Sequence, residues 1–258
     1  MKFVKMHGAG NDYIFVEEAK EAMTERLIIA LCDRHKGVGG DGVVRIGESF
    51  FADAKMEMFN SDATKGAICG NALRCVAALI KEKTGKDVIY IETDSGVKKT
   101  FFGDDIVWAD MGKPQFPFGE EITVFACGKA IKCTVVDVGN KHCVITGKAD
   151  MKVAATLQRN GMFDNGVNVE FVTVTVDGLN VRVYERGSGE TLSCGSGACA
   201  AVAACVRKKL IVSGKTKVRF RGGTLFVDYG DSLMLGGEAV KDFVGGYFLL
   251  NWGFFFVF

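Results

Sequence analysis

Residues 193–209 read SCGSGACAAVAACVRKK: a cysteine, a Gly-Ser-Gly turn, then a helix-length run with almost no polar face. Ala198, Ala200, Ala201, Val202, Ala203, Ala204 and Val206 are all small and apolar. A helix that is apolar all round is buried. Its narrow side chains suit a sheet wrapped closely around it. Residues 68–83, ICGNALRCVAALIKEK, repeat the order of cysteine, glycine and helix.

The likeness extends outward. KMHGAGNDYIFV (5–16) and VVDVGNKHCVIT (135–146) each place Gly-Asn before a strand-like run. MEMFNSDATKGAICGNALRC (56–75) and VRVYERGSGETLSCGSGAC (181–199) each run from strand to polar loop, cysteine turn and helix. Asn60 precedes Cys69 by nine positions, and Glu185 precedes Cys194 by nine. This pattern predicts two copies of one unit. The chain has two prolines, Pro114 and Pro117, and a Pro-rich break suits a boundary. The expected halves are residues 1–113, carrying Cys69, and 114–236, carrying Cys194, with a strand in 237–258 returning to the first half.

Other segments, such as VIYIETDSG (88–96), alternate β-branched and polar residues and end in turn residues, as in antiparallel sheet. Helical patterns are few: TERLIIALCDRH and the weaker MKVAATLQRNG join the two cysteine helices. The predicted fold is therefore α+β, with two pseudo-symmetric domains. Each is a curved, mostly antiparallel β-barrel or roll around one central α-helix.

Composition narrows the function classes. Of 258 residues, 48% are hydrophobic and 24% charged, with a net charge of +1. That balance gives no electrostatic reason to bind nucleic acid or an anionic membrane. The N-terminus has no long apolar segment and does not read as a signal peptide. With nine cysteines, an odd number, a reduced cytoplasmic setting is expected, where paired cysteines are more often catalytic or metal-binding than disulfide-bonded. The uncharged run FVGGYFLLNWGFFFVF (243–258) is shorter than the ~20 residues of a spanning helix and reads as a terminal strand. HGAGND lacks the third glycine of a dinucleotide fingerprint, and no GxxxxGK[ST] occurs.

Cys69 and Cys194 fall where a helix begins. Orphan N–H groups and partial positive charge at that end favour a thiolate and can hold a carboxylate. Gly70 and Gly195 allow close approach of a ligand. Two such turns facing one carbon suit inversion beside a carboxylate: one thiolate removes the α-proton and the other thiol returns a proton to the opposite face. Core packing, redox chemistry and metal binding remain alternatives on spacing alone. Cys69–Cys75 and Cys194–Cys199 are not CxxC pairs, which makes the metal reading poor. Cys32, Cys75, Cys127, Cys133, Cys143, Cys199 and Cys205 read as core residues.

The blocks KMHGAGNDY, RHKGVGGDG, FNSDATKGAICGNALRC, GNKHCV, GVNVEFV, VRVYERGSGETLSCGSGACAA and GGTLFVD, in this order, resemble the diaminopimelate epimerase family over almost the whole chain. The resemblance implies the barrel-around-helix fold and interconversion of LL- and meso-diaminopimelate without metal or cofactor. It implies Cys69 and Cys194 as the acid/base pair. Asn11, Asn60, Asn140, Asn168, Glu185 and Arg186 match substrate-binding positions, with Arg186 gripping the remote carboxylate. Gly70, Asn71, Gly195 and Ser196 match the amide cradles, and His142 a supporting position. The expected partners are a small amino-acid substrate and a second copy of the chain. The sequence CGNALRC departs from the family's common CGNGARC at Ala72 and Leu73, where altered packing is expected, and SDATKGAI also differs. A racemase of another amino acid such as histidine, on the same fold, and a thiol redox or metal-binding protein are the alternative readings.

Overall fold

The computed structural model describes residues 1–17, 23–66, 68–250 and 253–257. The chain divides into two compact units, Met1–Ala109 with Glu238–Phe258, and Asp110–Gly237.

The first unit runs β1 (Lys2–Gly8), β2 (Asn11–Glu17), α1 (Glu25–Cys32), β3 (Gly42–Gly47), β4 (Ala54–Asn60), β5 (Lys65–Gly66), α2 (Gly70–Thr84), β6 (Val88–Thr93), β7 (Gly96–Gly103) and β8 (Ile106–Asp110). Ala9 and Gly10 take φ of 52° and 79°, the left-handed pair that closes a tight β1–β2 hairpin. β2 then pairs parallel to β3 across α1, and β4 pairs parallel to β6 across α2. The remaining neighbours, β1–β2, β3–β4, β4–β5, β6–β7 and β7–β8, are antiparallel.

The second unit runs β9 (Ile122–Ala126), β10 (Lys129–Asp137), β11 (Lys141–Thr146), α3 (Met151–Gln158), β12 (Asn168–Thr175), β13 (Gly178–Glu185), β14 (Gly189–Thr191), α4 (Gly195–Arg207), β15 (Gly214–Phe220), β16 (Gly223–Tyr229) and β17 (Leu233–Gly237). From β10 to β17 it repeats the order β1 to β8. β11 is parallel to β12 across α3, β13 is parallel to β15 across α4, and the other neighbours are antiparallel. β9 flanks β10 as β18 (Val240–Leu250) flanks β1. The repeat seen around the cysteines thus holds for the topology of both units.

The C-terminal run was expected as one strand. It forms two: β18, and β19 (Gly253–Val257), which pairs antiparallel back onto β18. The second strand takes up hydrogen-bonding groups that a lone edge strand leaves open. Residues 251, 252 and 258 lie outside the described residues.

Alternation along β2 shows how each layer forms. Tyr13 and Phe15 pack with the α2 cluster, while Ile14 and Val16 pack with Leu27, Ile28 and Leu31 of α1. The sheet is therefore covered on both faces, by an inner and an outer helix. α2 touches β1, β2, β4, β6 and β7, and α4 touches β10 through β13, β16 and β17. Every residue from Ala198 to Cys205 is buried, as a helix without a polar face requires. α2 carries its solvent-facing polar residues, Lys81, Glu82, Lys83 and Thr84, in the last turn before Gly85, whose φ of 72° ends the helix.

Cys127 corrects the reading of all seven remaining cysteines as core. It is exposed. With φ 51° it pairs with Gly128 at φ 71° in the β9–β10 turn, and its sulfur lies at the surface, 3.2 Å from Thr156 Oγ1 of α3.

Candidate active site

The outer helices have ordinary oxygen caps: Thr24 Oγ1 accepts from Leu27 N at 3.3 Å, and Asp150 Oδ1 accepts from Lys152 N and Val153 N. The inner helices begin on cysteine instead. Cys69 caps α2 with φ −133° and ψ 119° and makes no side-chain cap bond. Cys194 caps α4 with φ −141° and ψ 119°, and its sulfur accepts only a long 3.4 Å bond from Gly197 N. Both inner helices thus present first-turn amides at a thiol, with no cap oxygen on that residue to absorb their charge.

In the first unit, Tyr13 Oη donates to Cys69 Sγ at 3.3 Å, and Cys69 Sγ donates to Asn11 Oδ1 at 3.4 Å. Asn71 Nδ2 donates to the same Asn11 oxygen at 3.2 Å. Arg74, wholly buried one turn into α2, donates to Asn71 Oδ1 at 2.8 Å and to the Gly70 carbonyl at 3.3 Å. Asn11, Gly70 and Asn71 therefore gather at Cys69. Asn60, at the end of β4, bonds Thr64 Oγ1 at 2.9 Å and serves its own loop.

In the second unit, Cys194 Sγ lies 3.4 Å from Ser196 Oγ. Burial pushes the Cys194 thiol well above its ordinary value, and the Glu185 and Glu170 carboxylates push it further; Ser196 and the Gly197 N–H oppose them. The sequence-based expectation that the helix end would lower this thiol is thus overturned, because desolvation and two carboxylates outweigh the helix end. Glu185 is itself raised by burial, against hydrogen bonds from Thr191 and Cys194. His142 is wholly buried, with Nδ1 2.6 Å from Glu170 Oε1 and Nε2 3.0 Å from Asn140 Oδ1. Asn168 Oδ1 accepts from Arg186 N at 2.9 Å, and Asn168 Nδ2 donates to the Lys141 carbonyl at 3.2 Å. Arg186 Nη1 donates to the Asn165 carbonyl at 2.8 Å. Asn140, His142, Asn168, Glu185, Arg186, Gly195 and Ser196 all belong to this unit with Cys194.

Four residues escaped sequence reasoning: Tyr13, Asp41, Arg74 and Glu170. Tyr13 and Glu170 sit in strands where alternation reads them as ordinary sheet residues. Arg74 follows a cysteine turn at i+5, which places it one turn beneath the cradle, and that spacing was the available signal.

The family model described as diaminopimelate epimerase matches residues 3–117 and 134–238. The chain belongs to the diaminopimelate epimerase family. A diaminopimelate epimerase of Acetivibrio thermocellus is 38% identical over 275 residues, covering 95% of this chain and 98% of the relative. One of Parabacteroides distasonis is 40% identical over 265 residues, covering 95% and 97%. The solved structure of a Bacillus anthracis phenazine biosynthesis protein of the PhzF family matches with a TM-score of 0.72 at 14% identity, covering 100% of this chain and 99% of that one. A probable proline racemase from Agrobacterium radiobacter matches with a TM-score of 0.70 at 16% identity, covering 97% and 94%. At those identities the structural matches show a shared fold, the diaminopimelate epimerase-like α+β architecture. Against the epimerase family's usual motif, Ala72 and Leu73 are both wholly buried in α2, so this departure falls on packing. No helix among the described residues is long and apolar enough to cross a membrane.

Proposed function

We propose that this enzyme interconverts LL- and meso-diaminopimelate by two-base proton transfer, with Cys69 and Cys194 as the acid/base pair. One observation carries the reading: both inner helices start on cysteine, while both outer helices start on an oxygen cap. Inversion needs a base and an acid on opposite faces of one α-carbon, so the proposal requires both sulfurs to reach that carbon. The substrate α-carboxylate would lie on the amides of Gly70, Asn71, Gly195 and Ser196, which also stabilise charge spreading into it as the proton leaves. Two buried carboxylates oppose a negative sulfur at Cys194. We assign Cys69 as the member that becomes thiolate, because the Tyr13 hydroxyl is placed to donate to its sulfur. Asn11, Asn60, Asn140, Asn168 and Glu185 would meet the polar groups of the substrate, and the Arg186 guanidinium its remote carboxylate. His142 supports from beneath. No metal or organic cofactor takes part in this mechanism. We further propose a cytoplasmic homodimer whose ligand is the amino acid, with no nucleic-acid or membrane partner.

Proton NMR in D₂O tests the reading, with reduced enzyme and LL-diaminopimelate, lysine, histidine and glutamate in separate samples. The expected result is loss of the α-proton signal and change of stereoisomer with diaminopimelate alone. Exchange with another amino acid instead would make the enzyme a racemase of that substrate. Exchange with none, from folded and reduced protein, would overturn the two-thiol mechanism.

A further inference from the structure

A directed chain of hydrogen bonds ends at Cys69. Arg74 Nη2 donates to Asn71 Oδ1 at 2.8 Å, Asn71 Nδ2 donates to Asn11 Oδ1 at 3.2 Å, and Asn11 Nδ2 donates to Asp41 Oδ2 at 2.6 Å. An asparagine amide can face either way, but the two ends of this chain cannot. Guanidinium only donates, and carboxylate only accepts. Both amides between them are thereby given one direction. The consequence falls on the sulfur: the face that Asn11 turns to Cys69, 3.4 Å away, is its oxygen.

We infer that Asp41 and Arg74 are positioning residues, which fix the Asn11 amide so that its oxygen rather than its nitrogen meets Cys69. An oxygen there accepts from the thiol and disfavours the thiolate, whereas an amide N–H would do the reverse. Each protonation state of Cys69 then has its own partner: the thiol donates to Asn11, and the thiolate accepts from Tyr13 Oη at 3.3 Å. A residue that must lose and regain a proton in a reversible inversion is served in both states. Asp41 is itself anchored. Arg34 Nη2 bonds its Oδ1 at 2.7 Å, and Asp12 N donates to its Oδ2 at 3.2 Å. Arg34 also bonds Asp12, which pairs with Lys5. The catalytic consequence rests on the proposed role of Cys69, but the orientation does not, so its test does not use turnover.

The test is the rate at which iodoacetamide alkylates Cys69 at one neutral pH, read by mass spectrometry of the Cys69 peptide. Asp41→Leu removes the acceptor of Asn11 Nδ2 and leaves the amide held only by the 3.2 Å bond from Asn71, so that its N–H groups can turn to the sulfur. The expected gain is about fivefold, since thiolate fraction, and with it reactivity, follows the thiol pKa. Asp41→Asn removes the charge but keeps one oxygen that can accept from Asn11 Nδ2 and Asp12 N at the expense of the Arg34 bond, and is expected to react closer to wild type than Asp41→Leu does. Equal acceleration in both variants would mean that charge alone acts, and no acceleration in either would mean that Asp41 does not orient Asn11; both overturn the proposal. The Asp41 side chain is 41% exposed, so folding should survive, as circular dichroism would report. Arg74→Met alone leaves Asn11 held by Asp41, so it is added to Asp41→Leu to free the other end. Losing a cation should by itself slow alkylation, so faster alkylation in the double variant than in Asp41→Leu would support the orientation, and an equal or slower rate would count against it.

Discussion

His142 Nδ1 lies 2.6 Å from Glu170 Oε1, and both side chains are wholly shielded from solvent. The pair joins β11 to β12 directly beneath the start of α4, where a Cβ added at Gly197 would come within 2.7 Å of the same Glu170 oxygen. Among the described residues the second oxygen, Oε2, has no hydrogen-bond partner. The contact therefore ties β11 to β12 immediately below Gly197.

Breaking that pair should cost stability. Glu170→Ala leaves the buried Nδ1 of His142 without its partner, and a buried hydrogen-bonding group left unsatisfied costs about 1–3 kcal/mol. Urea unfolding should report a loss of that order, with Glu170→Gln losing less because its amide oxygen can still meet the ring. An unchanged midpoint in Glu170→Ala would show that the pair does not hold β11 and β12 together.

Gly197→Ala should damage the Cys194 cradle. The new methyl would meet Glu170 Oε1 at 2.7 Å, Cys194 Cβ at 3.2 Å and Cys194 Sγ at 3.4 Å. Overpacking of this kind costs about 1–3 kcal/mol, and here the group that must shift carries the thiol or its neighbouring carboxylate. Alkylation of Cys194 and α-proton exchange should both change. If both match wild type, the first turn of α4 yields freely.

Cys69→Ala and Cys194→Ala should each abolish net inversion, because one face loses its proton carrier. General acid–base groups are worth about 10²–10⁴-fold. Stereoisomer conversion followed by chiral chromatography would measure this, and near wild-type conversion by either variant would end the two-base account. Exchange of the α-proton with solvent without inversion, in one variant only, would identify the remaining cysteine as the base for that stereoisomer.

Stability should fall on the alkaline side. Burial raises Cys32 and Cys205 to about 11 and Cys75 to about 12. The unfolded chain ionises its thiols near their ordinary value of about 8.5, whereas the folded chain holds these protonated. Their contribution is thus complete below the ordinary thiol value and is lost as pH rises toward about 11 to 12. Urea midpoints from pH 7 to 10.5 should decline, and Cys75→Ala should flatten the decline. An identical slope in that variant would remove Cys75 as a cause.

The inner helices, the duplication and both cysteine positions could be read from the chain because each depends on local pattern. An all-apolar run of small residues is driven to burial, and in both copies the cysteine-glycine step stands directly before a helix-length run, which marks it as the helix start. The order of side chains also carried the family resemblance, down to Asn11, His142 and Arg186. The protonation preference of Cys194 was not legible. It depends first on the depth of burial, then on the Glu185 carboxylate and on that of Glu170, 24 residues away in sequence, and those quantities act through space. The exposure of Cys127 was missed for a related reason, since a cysteine is apolar by type but its placement followed the left-handed turn it shares with Gly128. The chain's local patterning thus settled which residues begin the inner helices and that those helices are buried. Which partner each thiol meets, and whether its charge is favoured there, was decided by the sheet's three-dimensional pairing, because hydrogen bonds and desolvation depend on distances that sequence separation does not measure.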